Sequence, residues 1–569
     1  MNKLLKTIGF PMMWTAAVSL TLAGCAGLGS MEKEIETLGL EATPEPLILR
    51  GNTVELQVTG KFPPKYFAKK VVMEATPVLT WEGGSARFTT QGFQGESAAG
   101  NFDVVPFQAG KSFTYTAQIP FQPGMEDVAT LAIELSGSKG SKSATFAPYA
   151  VGTGVITTPL LVQADDRFIL AQHNFVRVLN YTQTATINYE LNKSDVRKAE
   201  LSDADWLQLL TLMQTAAKSD SLTITGVRIE AFASPEGEIT LNEELAVERA
   251  ASATQAMSRE MARLKVPVVG ELYQQVPKGE DWEGFKTLMQ ASSIEDKNLI
   301  LRVLEMYTDK NKREEEIRNI SKTYEEIADV ILPQLRRSQL VVSYSITGYS
   351  DAELKDLAIN APSRLNIEEL LFAATLLEDL NAKLQVYQAA ARQFPSDYRG
   401  ANNAGWCLAK LGRMNQAKES FNQALAAKRE KLVLNNVAAL QRQDGDLDGA
   451  MKLLNEAAGA GPEVNYNKGI ILIQKGDYSS AISNMGRENS VNVALAKLLN
   501  GDAAGAKTVL ENANDKSAIA SYVMAIACAR LNDGAGVKRH LDAALALDGS
   551  LRAKAAKDLE FRNFRDQLK

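Results

Sequence analysis

The chain has 569 residues, more than a single hydrophobic core serves, so it divides into several domains. Hydrophobic residues make up 45% and charged residues 23%, which excludes a disordered chain. A formal charge of −6 gives little basic surface for nucleic acid, and three cysteines with two histidines leave little for zinc chemistry.

Residues 1–25 read MNKLLKTIGFPMMWTAAVSLTLAGC. Lys3 and Lys6 give a basic start, an apolar run follows, and the stretch ends Leu22-Ala23-Gly24-Cys25. The first two parts are those of a secretory signal, and the run is short for a membrane span. The ending resembles a bacterial lipobox, where small residues let a peptidase cut before the cysteine. The resemblance implies a signal peptide over 1–24, lipidation of Cys25, and a linker over 25–43 that tethers a soluble body to the outer membrane. Acyl chains supply such affinity through buried methylenes. AGLGSMEKEIE, from residue 26 on, carries no strongly acidic stretch, which favours the periplasmic face. Cys407 and Cys528 stand in apolar helical text, where small thiols serve packing.

Residues 44–165 are expected to be β-rich. TVELQV (53–58), FTYTAQIPF (113–121) and TLAIELS (130–136) alternate apolar and polar, the period of a half-buried strand. Gly83-Gly84 signals a hairpin. One or two β-sandwich-like modules fit, and no chemistry-bearing constellation stands among them.

Residues 166–350 mix the two periods. TATINYEL (184–191) alternates as a strand. Ser202-Asp203-Ala204-Asp205 reads as an N-cap, with Trp206, Leu209, Leu210 and Met213 along one side of the helix after it. SLTITGVRIEAFAS (221–234) is the next strand, with Leu222, Ile224, Val227 and Ile229 for its core. Thr240-Leu241-Asn242-Glu243 has the pattern of a capping box that opens a second helix. Residues 264–337 read as a helical insertion, including the charged run from Asp309 to Arg318, and SQLVVSYSIT (338–347) as the closing strand. The expected fold is an α/β sandwich with helices on one face of a small sheet. Residues 351–363 read as a linker.

Residues 364–569 are repetitive. KLGRMNQAKESFNQAL, QDGDLDGAMKLLNEAA, QKGDYSSAISNM and LNGDAAGAKTVLENA align on Gly412, Gly445, Gly476 and Gly501. Alanine follows five residues later (Ala417, Ala450, Ala481, Ala506), and a larger apolar residue four after that (Phe421, Leu454, Met485, Leu510). Glycine turns the chain between antiparallel helices, alanine lets them approach, and the larger residue fills the space between repeats. The pattern resembles the tetratricopeptide repeat, with shorter steps than that family's toward Gly501. The resemblance implies an α-solenoid with a concave groove for a protein partner.

FASPEGEITLNEELAVERA (232–250) carries the one ligand-reading candidate. A strand ends at Ser234, a Pro-Glu-Gly turn follows, and a helix bears Asn242, Leu245 and Arg249. Free N–H groups at a helix start favour an anion, and Arg249 reaches the loop only by folding back toward the N-terminus. The unit resembles the OmpA-like peptidoglycan-binding domain. Gly237, Asn242, Leu245, Arg249 and Ala250 fall at that family's signature positions. Ala231 to Ser234 stand in its Gly-His-Thr-Asp slots, and Ala246 in its serine slot. The resemblance implies that Arg249 takes a carboxylate of the diaminopimelate in the peptide stem. The family aspartate that takes the ammonium end is Ser234 here, and Glu236 or Glu238 on the same loop would have to replace it. Such a charged hydrogen bond is worth roughly 1.5–3 kcal/mol. Ala-Ser-Pro-Glu-Gly, followed by GEDWEGF and ILPQLRRSQLVVSYSI, resembles a Bacteroidota subfamily of OmpA-like outer-membrane proteins with an insertion before the last strand. With lipobox and repeats, the whole chain looks like an outer-membrane lipoprotein of that kind.

Two functions follow as expectations. In the first, the lipid anchors the protein, the OmpA-like domain binds peptidoglycan through Arg249, Ser234, Asn242, Glu236 and Glu238, and the repeats hold a protein partner. In the second, the protein is a scaffold or assembly factor of an outer-membrane or surface-fibre complex, and its OmpA-like fold binds no peptidoglycan. An enzyme is not expected, because no nucleophile, base and orienter stand together; His173, in ILAQHNF, reads as a structural histidine. No cofactor or metal is expected.

Overall fold

The computed structural model describes residues 27–268 and 270–567. The signal peptide over 1–24 and the lipidation of Cys25 lie outside the described residues. The chain forms two compact units: the described residues up to Ala171 together with those from Phe394 on, and Gln172–Gln393.

The first unit begins with two β-sheets around one core. One sheet has the order Val155–Ile156, Glu41–Arg50, Thr53–Phe62, Lys111–Pro120. The other runs Tyr149–Thr153, Ala129–Lys139, Val72–Trp81, Gln91–Gly95, Asp103–Val105, with two short strands paired at its side. Alternation works as the sequence predicts. Val54, Leu56 and Val58 of one strand, and Leu131, Ile133 and Leu135 of another, point into the core. Phe62 anchors an aromatic cluster there, with ring centroids 5.1 Å from Phe67 and 4.9 Å from Phe93. Gly83 turns the hairpin at φ 90°, and Trp81 pairs with Gly84 across it. The linker expected over 25–43 is corrected for its described part. Leu28–Lys33 is a helix, Leu28, Met31, Leu38 and Leu40 are buried in the sheet core, and the first strand starts at Glu41. Apolar residues at these positions gain more from burial than a solvated tether would.

The rest of the first unit is a solenoid of helix pairs. Tyr398–Lys410 pairs with Met414–Ala427, Lys431–Gln443 with Leu447–Glu456, and Pro462–Gln474 with Tyr478–Met485. Val491–Leu499 then pairs with Ala503–Ala513, and Ala518–Arg530 with Gly534–Leu547. Gly412, Gly445, Gly476 and Gly501 take φ of 73°, 93°, 81° and 90° at the turns, and Asn532 fills the role in the last pair at φ 59°. The four repeat alanines are fully buried. At Gly405 a methyl group would stand 2.7 Å from the Phe421 ring, so glycine is what admits the large residue of that repeat. The short steps near Gly501 arise from short helices, eight residues at Tyr478–Met485 and nine at Val491–Leu499.

The second unit has a four-stranded sheet in the order Val178–Asn188, Arg337–Thr347, Leu222–Ala233, Tyr273–Glu280. Its first three strands are antiparallel, and the last is parallel to Leu222–Ala233. Helices Ala204–Ala216 and Ile239–Leu264 share a core with the sheet, through Trp206, Leu209, Met213, Ala253 and Met257. The insertion expected over 264–337 is corrected, since Tyr273–Glu280 is a strand of the sheet and the helices span 282–335. Those helices have a small core of their own around Phe285, Met289, Ile300 and Leu335. The capping box expected at Thr240 is also corrected. The helix starts at Ile239, with Glu238 at the N-cap and no side-chain cap. The linker expected over 351–363 contains the helix Asp351–Asn360, which has a full capping box from Ser350 and Glu353. Helices Ile367–Thr375 and Leu380–Gln393 belong to this unit and not to the solenoid, which moves the expected repeat boundary from 364 to 394. His173 sits edge-on to Phe372 at 5.1 Å, and its Nδ1 accepts a hydrogen bond from the Phe175 N–H. Among the described residues no helix is long and apolar enough to cross a membrane.

Candidate functional site

Arg249 folds back toward the loop, as its helical position requires, but it ends inside the protein. It is 1% exposed. Its Nε donates to the Lys193 carbonyl at 3.0 Å, Nη1 to that of Phe232 at 2.9 Å, and Nη2 to that of Glu190 at 3.3 Å. The guanidinium also stands 5.1 Å from the Tyr189 ring centroid. Its own carbonyl accepts from the Tyr189 and Ser338 hydroxyls. Burial without a carboxylate in contact pushes its pKa down to about 10. The side chain fastens the chain after one strand, the end of another, and the helix that carries it.

The loop closes in the same way. Ser234 is buried and donates to Glu236 at 2.5 Å. Arg336, beside the last strand, donates to Glu236 at 2.7 and 3.0 Å and to the Ser234 hydroxyl at 3.3 Å. Asn242 donates to the Glu236 carbonyl and to Glu280, both at 3.1 Å, and Glu280 accepts from the Trp282 indole at 2.9 Å. Glu314, from an insertion helix, accepts from the Gly237 N–H at 2.7 Å, and burial pushes its carboxyl pKa up. Glu238 is exposed at the helix start. The structure therefore brings Ser234, Glu236, Asn242 and Arg249 together, with Arg336, Glu280 and Glu314 as partners that the sequence did not single out. Ser234, Glu236, Asn242 and Arg249 bond within the chain, and Glu238 faces solvent.

The solenoid contains a second constellation, which sequence reasoning missed. Residues 163–171, QADDRFILA, run extended through its groove. Asn403, Asn436, Asn467 and Asn492 stand at corresponding places on the first helix of four successive repeats. Each accepts the N–H of one residue of this strap and donates to the C=O of the same residue. Asn403 holds Ala171 at 2.8 and 2.9 Å, and Asn436 holds Ile169 at 2.7 and 2.8 Å. Asn467 holds Arg167 at 2.8 and 2.9 Å, and Asn492 holds Gln163 at the same distances. Asn402 and Asn435 add bonds to the strap carbonyls of Ile169 and Arg167 and link the ladder laterally. All six asparagines are buried.

Side chains of the strap add selectivity. Asp166 takes Arg442 in a two-point ion pair at 2.5 and 2.6 Å, with both side chains almost wholly buried. Phe168 stacks on Phe421 with centroids 5.6 Å apart, and the Arg167 guanidinium lies 3.8 Å over Tyr466. Asp165 accepts from the Tyr466 hydroxyl and the Asn492 amide, both at 2.5 Å; burial is the larger influence and raises its pKa. The expected partner groove is thus filled by the chain itself. The signal was present in the sequence, because the four asparagines are spaced 33, 31 and 25 residues apart, the same steps as the repeat alanines.

A tetratricopeptide repeat family model matches residues 398–431. The helix pairs of the C-terminal region are tetratricopeptide repeats, a module of protein–protein interaction. The BBSome complex member BBS4 of Xenopus tropicalis is 28% identical over 159 residues, 25% of this chain and 30% of that protein. Its Bos taurus counterpart is 25% identical over 185 residues, 29% of this chain and 35% of that protein. This chain thus spans about a third of the length of the curated relatives it matches. Among solved structures, a tetratricopeptide repeat protein from Parabacteroides merdae is similar at 16% identity, covering 38% of this chain and 90% of that one, with a TM-score of 0.29. YrrB, described as a TPR protein with an unusual peptide-binding site, is similar at 16% identity, covering 36% and 96%, with a TM-score of 0.21.

Proposed function

We propose that this protein is a non-catalytic scaffold of the cell envelope, held at the outer membrane through a lipidated Cys25, with its OmpA-like unit kept as architecture. The reading rests on the closed network of the 234–242 loop. A diaminopimelate carboxylate would have to take Arg249 from three backbone carbonyls, giving up charge-assisted hydrogen bonds worth about 1.5–3 kcal/mol each. Glu236 already occupies Arg336, a second guanidinium at the loop. In the solenoid, the strap takes the groove where a partner peptide would lie, so partners of the scaffold use other surfaces.

Isolated sacculi incubated with the full chain test the architectural role. No co-sedimentation is expected. Retention on sacculi would overturn it in favour of a protein that links the membrane to peptidoglycan. The anchor is tested separately: Cys25→Ser is expected to move the protein from the membrane pellet to the soluble fraction, and a variant that stays in the pellet refutes lipid anchoring.

A further inference from the structure

The sheet of the second unit has two edges, and they differ. Tyr273–Glu280 carries Pro277, Lys278 and Glu280, the residues by which proteins blunt an edge against further pairing. Val178–Asn188, VLNYTQTATIN, contains no charged residue and no proline. Its odd-numbered residues turn their N–H and C=O groups toward Arg337–Thr347, and its even-numbered residues turn theirs outward. Two outward N–H groups are capped, Thr186 by Asp205 at 2.7 Å and Asn188 by Glu200 at 2.8 Å. Those of Val178, Asn180, Thr182 and Thr184 have no hydrogen-bond partner among the described residues. Apolar surface lies alongside: Leu179 is 45% exposed, Tyr181 43% and Ile346 37%. Tyr181 stacks on Tyr344 of the neighbouring strand at 5.5 Å.

The open stretch is symmetric about Tyr181. We propose that Val178–Thr184 pairs antiparallel with the same stretch of a second copy of this chain, about a dyad at Tyr181. In that register Val178 lies opposite Thr184 of the second copy, and Asn180 opposite Thr182. All four outward residues then exchange main-chain hydrogen bonds reciprocally, as a two-fold interface requires. Tyr181 faces its own counterpart in a non-hydrogen-bonded pair, which extends the Tyr181–Tyr344 stack across the interface. The absence of charge means that no like charges meet at the dyad. The carboxylate caps on Thr186 and Asn188 end the pairing at its far side, which fixes its length and register. This interface gives the scaffold one continuous eight-stranded sheet.

The test uses the full chain with Cys25→Ser, whose remaining cysteines, Cys407 and Cys528, are buried. Analytical ultracentrifugation is expected to give a dimer. Thr182→Pro, which removes only an outward N–H, and Thr182→Lys, which sets like charges near the dyad, are each expected to give a monomer with an unchanged circular dichroism spectrum. Under mild oxidation Tyr181→Cys is expected to cross-link to its counterpart, whereas Gln183→Cys, opposite Leu179 of the second copy, is not. A parent chain that is monomeric at its highest soluble concentration, with no cross-link through Tyr181→Cys, overturns the proposal. So does a dimer that survives Thr182→Lys, or one that cross-links equally through Gln183→Cys.

Discussion

The solenoid groove and the 234–242 loop are both occupied from within, by different chemistry. In the groove, asparagines read the backbone of the strap, at least two bonds to every residue they grip, and Asp166, Arg167 and Phe168 add side-chain contacts. In the loop, charged and polar side chains hold one another and Arg249 holds carbonyls. Backbone reading tolerates a change of sequence away from Asp166, Arg167 and Phe168, so another peptide that keeps an acid for Arg442 could use the groove once the strap is gone. Side-chain reading does not, because each partner in the loop has a fixed charge and place. The repeats thus keep a binding capacity that the chain itself consumes, while the polar groups of the loop pair with one another.

The strongest way to break this comparison is to empty the groove. A chain with residues 163–171 replaced by a Gly/Ser stretch is expected to bind the free peptide QADDRFILA in a calorimeter, and the unaltered chain to give no heat. Equal silence from both would mean that the groove does not read this backbone when the strap is separate. Next in size is Arg249→Ala, which removes the guanidinium's bonds to the carbonyls of Glu190, Lys193 and Phe232 and should destabilise the second unit by roughly 4 kcal/mol in denaturant unfolding. Arg249→Lys should recover under half of that, because an ammonium cannot span the three acceptors. A loss below about 1 kcal/mol for Arg249→Ala would restore its standing as a ligand reader kept free of structural duty.

Asn436→Ala should cost the first unit about 2 kcal/mol by leaving the Ile169 N–H unpaired and its carbonyl with the Asn402 bond alone, measured by the same unfolding. Gly405→Ala, which crowds the Phe421 ring beneath the strap's Phe168, should cost about 1–3 kcal/mol and probes packing without touching the ladder. The smallest effect is at Asp165. Its folded pKa is raised by burial, so folding takes up a proton between the unfolded value of 3.8 and the higher folded one. Its contribution is fully present below 3.8 and is lost as pH rises through the folded value. Asp165→Asn should therefore flatten stability against pH in that window and leave the chain at neutral pH no less stable. A steeper profile would show that the carboxylate is favoured in the fold.

Much of this was legible in the residues. Alternation located three strands of the first unit, within Thr53–Phe62, Lys111–Pro120 and Ala129–Lys139, and the closing strand Arg337–Thr347, because each buries one face. The Gly–Ala–large pattern located the solenoid turns. Tyr273–Glu280 was not legible: YQQVPKGE holds a proline and a glycine and little apolar alternation. It belongs to the sheet because an edge strand needs only one row of backbone bonds, and its register shifts between Ala231 and Phe232 of the neighbouring strand. In the candidate loop the turn at Gly237 and the buried Leu245 were readable, but Arg336, Glu280 and Glu314 lie some 40 to 100 positions from the residues they bind.

By itself, then, the sequence determined the local periods: strands of period two, the helical hairpins, and the glycine turns between them. Those depend on neighbouring residues, whose spacing is written in the chain. Only the tertiary structure decided what the polar residues do. Arg249 became a clamp on three carbonyls, and the asparagine ladder received a strap from more than 200 positions away. Buried polar groups must find partners wherever the fold places them, and sequence order, even where it shows the spacing of the asparagines, does not name those partners.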